Sequence, residues 1–171
     1  MNKILLNLLI IIMYSNPINA QNDILSAFLI KWENSKNYLI ELAETMPEEK
    51  YGFKPTERQM SFQEQLIHIR GNMVWLSESY FADESYEKST KSEFTSKSDL
   101  INDLSNSFDN VSKIIENVMV SDLSEEVKFG GGQKSKLQML NLLQDHVTHH
   151  RGQLVVYLNL NDLKPPRYSG W

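Results

Sequence analysis

The sequence predicts an all-α protein built as a four-helix bundle, and three observations predict it. Four segments carry apolar residues at alternating spacings of three and four, the stripe of a helix that buries one face. Met46-Pro47, the Gly130-Gly131-Gly132 run and Pro165-Pro166 punctuate these segments where helices cannot cheaply continue. No stretch sustains the period-two alternation of a half-buried strand. A chain of 171 residues with 41% apolar content is the size of a single domain with a real core.

Residues 1–20, MNKILLNLLIIIMYSNPINA, read as a signal peptide. Lys3 supplies a positive start, residues 4–13 an apolar run broken only by Asn7, and Ile18-Asn19-Ala20 a small-residue cleavage site. The apolar run is about half the ~20 residues of a spanning helix. Cleavage after Ala20 is expected to leave residues 21–171 as an exported domain, periplasmic or extracellular, with no stable membrane insertion. An uncleaved anchor is the alternative.

The first helix is expected from about Asp23 to Glu44, where Leu25, Phe28, Leu29, Trp32, Leu39 and Leu42 form one face. It ends at Met46-Pro47 because proline biases its predecessor toward extended backbone. The second opens at Ser61, whose spacing to Glu64 is that of a capping box, and runs to about Phe81. Phe62, Leu66, Ile69, Met73, Leu76 and Tyr80 make its seam. The third spans roughly Ser98 to Met119, with Ile101, Leu104, Phe108, Val111, Ile115 and Val118 facing inward. The fourth follows the glycines, with Ser135 as its N-cap, and reaches about Asn161 through Leu140, Leu143, Val147, His150, Leu154 and Tyr157. The glycines do not make a phosphate loop, because no Gly-Lys-Ser/Thr follows them.

The chain holds no cysteine, which excludes disulfides, thiolate metal sites and a cysteine nucleophile. A formal net charge of −5 without a basic run argues against nucleic acid as a partner. No HExxH motif and no nucleophile elbow is present.

All four histidines fall on the second and fourth helices: His68, His146, His149 and His150. His146 and His150 are four apart and share one helix face, with His150 in the seam and His146 on its flank. His68 stands one position before seam residue Ile69. Two imidazoles from one helix and one from a facing helix can hold one divalent ion, and neutral imidazole suits Zn, Ni, Cu and Fe(II). Three protein ligands leave a position open for substrate, the pattern of catalytic sites. Ordinary core or surface histidines are the alternative. His149 lies about 100° around the helix from His150 and reads as a rim group, with Asp145 in reach of its ring.

Further residues fall near the same stripes. Asn72 and Gln153 can point polar groups toward the histidines, with exposure or local hydrogen bonding as the ordinary alternative. Trp75 and Tyr157 can wall the pocket or simply pack. Arg151 can attract an anion or form a surface ion pair, and Gly152 can permit a close approach. Glu64 is the nearest carboxylate to His68, but its cap role already accounts for it. No residue is singled out as catalytic.

Three stretches resemble the DinB family: Tyr51-Gly-Phe-Lys-Pro55, then Ser61-Phe-Gln-Glu-Gln-Leu-Ile-His68-Ile, then Asp145-His-Val-Thr-His-His-Arg-Gly-Gln-Leu154 with its continuation Leu163-Lys-Pro-Pro-Arg-Tyr-Ser-Gly-Trp171. The resemblance implies a bundle of up-down-down-up order with a long crossover, often a homodimer. It also implies a divalent metal on His68, His146 and His150, the set that helix geometry indicates. The implied activity is metal-dependent hydrolysis or S-transfer from an external low-molecular-weight thiol, on a small molecule. A non-catalytic metal-binding bundle and a partner-binding module remain the alternatives.

Overall fold

The computed structural model describes residues 17–83, 86 and 94–170. The leader's apolar run and Trp171 lie outside the described residues. Four helices, two 3₁₀ turns and one hairpin make up the described part.

Helix α1 spans Pro17–Thr45. It begins six residues before the sequence reading places it, so helical backbone crosses the predicted cleavage junction at Ala20. Proline opens it without loss, since the first amide of a helix has no partner inside the helix. Phe28, Trp32, Leu39 and Leu42 are buried, while Leu25 and Leu29 pack at the margin of the core. Trp32 stacks on Phe28 at 5.5 Å and meets Phe108 at 4.7 Å. Its indole N–H donates to the Phe108 carbonyl at 3.2 Å. Pro47 takes an extended conformation and ends the run. A 3₁₀ turn over Glu48–Lys50 then leads to Tyr51, whose hydroxyl donates back to the Ala43 carbonyl at 2.8 Å.

Helix α2 spans Phe62–Tyr80 and is capped as the sequence predicts. The Ser61 hydroxyl accepts from the Glu64 amide at 3.1 Å, and the Glu64 carboxylate accepts from the Ser61 amide at 2.7 Å. The seam from Phe62 to Leu76 is buried, and Gln65 is buried with it. Helix α3 spans Lys97–Glu116 behind a Ser96 cap, and stops short of the expected Met119. Asn117 closes it, and a 3₁₀ turn over Val120–Ser124 carries the chain on.

The glycine run is not merely a loop. Strands β1, Glu126–Phe129, and β2, Gly132–Ser135, pair antiparallel with Phe129 opposite Gly132. Gly130 and Gly131 both have positive φ, 58° and 83°. A tight two-residue hairpin turn requires such backbone, and glycine supplies it without strain. Val127 and Phe129 alternate inward and pack on the core, while Glu126 and Lys128 face out. Four residues per strand are too few for the alternation to stand out in sequence.

Helix α4 spans Lys136–Leu160. Ser135 caps it, with Gln138 completing a second capping box through contacts of 2.9 and 3.2 Å. Every expected seam residue is buried, His150 included.

Helix α1 packs on α3 and α4, and α2 packs on α3 and α4, so α1 lies diagonal to α2 and α3 to α4. Along α1 and α3 the contacts run in opposite senses, because Trp32 meets Phe108 while the Lys97 ammonium donates to the Glu44 and Met46 carbonyls. Helices α2 and α4 are likewise antiparallel, with Gln65 reaching Gln153 and Tyr157 while His68 reaches His146. Among the described residues, no helix is long and apolar enough to cross a membrane.

Candidate metal centre

The antiparallel contact of α2 and α4 places three histidines together. His68 comes from the second turn of α2, and His146 and His150 from successive turns at the middle of α4. One ligand nitrogen from each lies within 4.8 Å of the others. The ring centroids stand 4.4 to 4.9 Å apart. His68 Nε2 and His146 Nε2 are 3.0 Å apart. Two imidazoles on a tetrahedral ion, each with a bond of about 2.0–2.1 Å, would hold their nitrogens about 3.3 Å apart. The observed spacing therefore opens to a ligand spacing with a shift of a few tenths of an ångström.

Burial keeps the three rings neutral. It depresses His146 to about 4, helped by the neighbouring His150, His68 and His149. It depresses His150 to about 4 as well, with His68 and His149 adding to the effect. It lowers His68 in the same direction. Each ring therefore offers a lone pair at neutral pH, which is the ligating form. The neighbours acting on these rings are all imidazoles, and no carboxylate contributes. The donor set fits a borderline divalent ion better than a hard, oxygen-seeking one.

The second nitrogens of the two α4 rings have different surroundings. His150 Nδ1 lies 2.5 Å from Gln65 Oε1. His146 Nδ1 is buried with no protein partner, and so is Asn72 Oδ1 on the facing helix. Gln65 belongs to the centre although sequence reasoning passed over it. The available signal was its place three residues before His68, on the same face of α2. From Gln65 the hydrogen bonds continue to Gln153 Oε1 at 2.6 Å and the Tyr157 hydroxyl at 3.3 Å. The Tyr157 hydroxyl donates to the Met60 carbonyl at 2.8 Å.

The remaining sequence candidates separate by position. Gln153 and Tyr157 join the histidines through Gln65. Gln153 Nε2 also donates to His149 Nε2 at 2.8 Å, so His149 has that partner on an exposed rim. Trp75 makes its ring contacts with Tyr80 and Phe129, against the hairpin, which is the packing alternative. Among the described residues Arg151 forms no surface ion pair. It is 6% exposed, donates to the Ser35 hydroxyl at 3.3 Å and sits 5.0 Å over the Tyr38 ring. Gly152 permits no close approach, since a methyl group there would meet nothing within 4 Å.

The family model described as DinB family matches residues 18–169. The chain belongs to the DinB family. Two solved structures are similar to this DinB chain in fold. A DinB-like protein from Bacillus subtilis is 22% identical, with a TM-score of 0.67, 85% of this chain covered and 99% of the other. A DinB-like protein from Bacillus cereus is 19% identical, with a TM-score of 0.72 and coverage of 84% and 97%. No curated protein matches the chain.

Proposed function

We propose that this DinB protein is an exported metal-dependent enzyme acting on a small molecule, either a hydrolase or an S-transferase that takes its thiol from solution. The observation that carries the reading is the convergence of neutral His68, His146 and His150 from two antiparallel helices, with His68 and His146 partly open to solvent and His150 buried. These three residues would hold the ion, zinc or nickel first, with iron or copper as further candidates. When bound, a divalent ion keeps its full charge on three neutral ligands and supplies Lewis-acid activation of water or a thiol.

The chain's own residues hold the imidazoles and admit the substrate. Gln65, Gln153 and Tyr157 fix one side of the centre, and exposed His149 stands at its rim, bonded to Gln153. A protein without cysteine has to take any reacting thiol from outside. Residues 1–20 support export to the periplasm or beyond the cell, and a homodimer is the proposed assembly. The acidic net charge supports a small-molecule partner over nucleic acid.

A non-catalytic metal-binding bundle is the second reading, favoured by one observation: the side chains that act on His146 and His150 are imidazoles, with no carboxylate among them. The test starts with metal analysis of protein purified without a nickel column. About one equivalent of bound metal, followed by turnover in a screen of esters, amides and thiol-plus-electrophile pairs, supports the enzyme. Metal without turnover supports the second reading. Less than about a tenth of an equivalent, with no uptake on titration, removes both.

A further inference from the structure

We infer that Gln65 is the positioning residue of His150: its side-chain oxygen holds the ring with the proton on Nδ1 and so leaves Nε2 as the ligating atom. The inference rests on the proposed metal site for its consequence and on the hydrogen-bond chain for its geometry.

The direction of that chain follows from a group whose role is fixed. A backbone carbonyl can only accept. The Tyr157 hydroxyl, 2.8 Å from the Met60 carbonyl, is therefore the donor. Its oxygen is then free to accept from Gln65 Nε2 at 3.3 Å. The same Nε2 donates to Gln153 Oε1 at 2.6 Å, and the Gln153 amide nitrogen in turn faces His149 Nε2 at 2.8 Å. With both acceptors on its nitrogen side, the Gln65 carboxamide turns its oxygen to His150. A carboxamide oxygen cannot donate. The hydrogen in the 2.5 Å contact therefore belongs to His150 Nδ1.

A neutral imidazole carries one proton. Placing it on Nδ1 leaves the Nε2 lone pair for the ion, and the bond also fixes the rotation of the ring. Gln65 is 1% exposed and His150 8%, so water does not compete for this contact. A carboxamide in this role leaves the ligand set neutral where a carboxylate would add a negative charge beside it.

The test uses the full chain, stripped of metal by a chelator, with cobalt(II) as the probe and ¹⁵N-labelled histidine for NMR. Wild-type protein is expected to show His150 protonated at Nδ1 before any metal is added. Gln65→Leu should lose that preference and bind cobalt about 10–100-fold more weakly, the usual effect of removing an outer partner. Gln65→Glu, whose carboxylate also accepts, should keep the tautomer and bind within a few-fold of wild type. A wild-type His150 protonated at Nε2 overturns the proposal, as does a folded Gln65→Leu protein with unchanged cobalt affinity. If wild type takes up no cobalt, the metal reading fails separately, and the tautomer measurement alone decides the role of Gln65.

Discussion

His68 and His146 lie 78 positions apart in sequence and meet with their Nε2 atoms 3.0 Å apart. Two basic nitrogens at that distance need something between them, either one shared hydrogen or one cation. Burial withholds the extra proton that would charge the pair, because it lowers both rings from their ordinary values. His150 adds a third lone pair from the next turn of α4 and has its other nitrogen occupied by Gln65. The arrangement therefore concentrates electron pairs in one small volume, where a divalent ion would satisfy three of them at once.

The first prediction concerns ligand identity. His146→Ala and His150→Ala should each weaken cobalt or zinc binding by more than the about 10–100-fold expected for an outer group. His149→Ala should change it far less, because His149 faces the rim and bonds Gln153. Calorimetric titration of the three variants checks this, and equal behaviour of His149→Ala and His150→Ala would show the assignment to be wrong.

The second concerns pH. In the metal-free protein, His146 and His150 titrate at about 4 when folded against 6.5 in the unfolded chain. Between those values the unfolded state binds more protons, so stability is full above the unfolded value and falls as pH drops toward the folded one. Glu64 and Asp99 are also depressed, but from ordinary values of 4.5 and 3.8, so their stabilisation is lost only at lower pH. Urea denaturation from neutral pH down toward the folded-state values should show the decline in wild type. A His146→Gln, His150→Gln double variant should flatten it.

The parts of this fold that are legible in sequence are those whose cause is local. The seams of α2 and α4 repeat at helical spacing, and Ser61 with Glu64 marks a helix start within four residues. The histidines are legible because they are few and two are one turn apart. Gln65 is not, because its meaning depends on His150, 85 positions away. The hairpin escapes for a different reason. Its strands are four residues each, and the glycines that form its turn look the same as those of an unstructured loop. Trp75 lies on the histidine side of α2 by spacing alone, yet the hairpin gives it Phe129 to pack against.

The third prediction tests the core at the α1–α3 contact. Trp32 is fully buried against Phe28 and Phe108. Trp32→Ala should cost about 3–5 kcal/mol through lost burial and the cavity left behind. Trp32→Phe keeps an aromatic ring but removes the donor to the Phe108 carbonyl. The lost hydrogen bond should cost about 1 kcal/mol on top of the smaller loss of buried area. Denaturant titration should find the alanine variant the less stable of the two.

The fourth isolates the hairpin turn. Gly131 has φ 83°, and a methyl group there would meet nothing within 4 Å. Gly131→Ala therefore introduces no clash, and its cost is that of holding an L-residue in left-handed backbone, about 1–2 kcal/mol. Gly152 serves as the control, since it is also uncrowded but helical. Gly152→Ala should stabilise by up to about 1 kcal/mol. Opposite shifts in the unfolding midpoint of the two variants would establish that the turn requires glycine for its backbone. A loss in both would show instead that space near these glycines is the constraint.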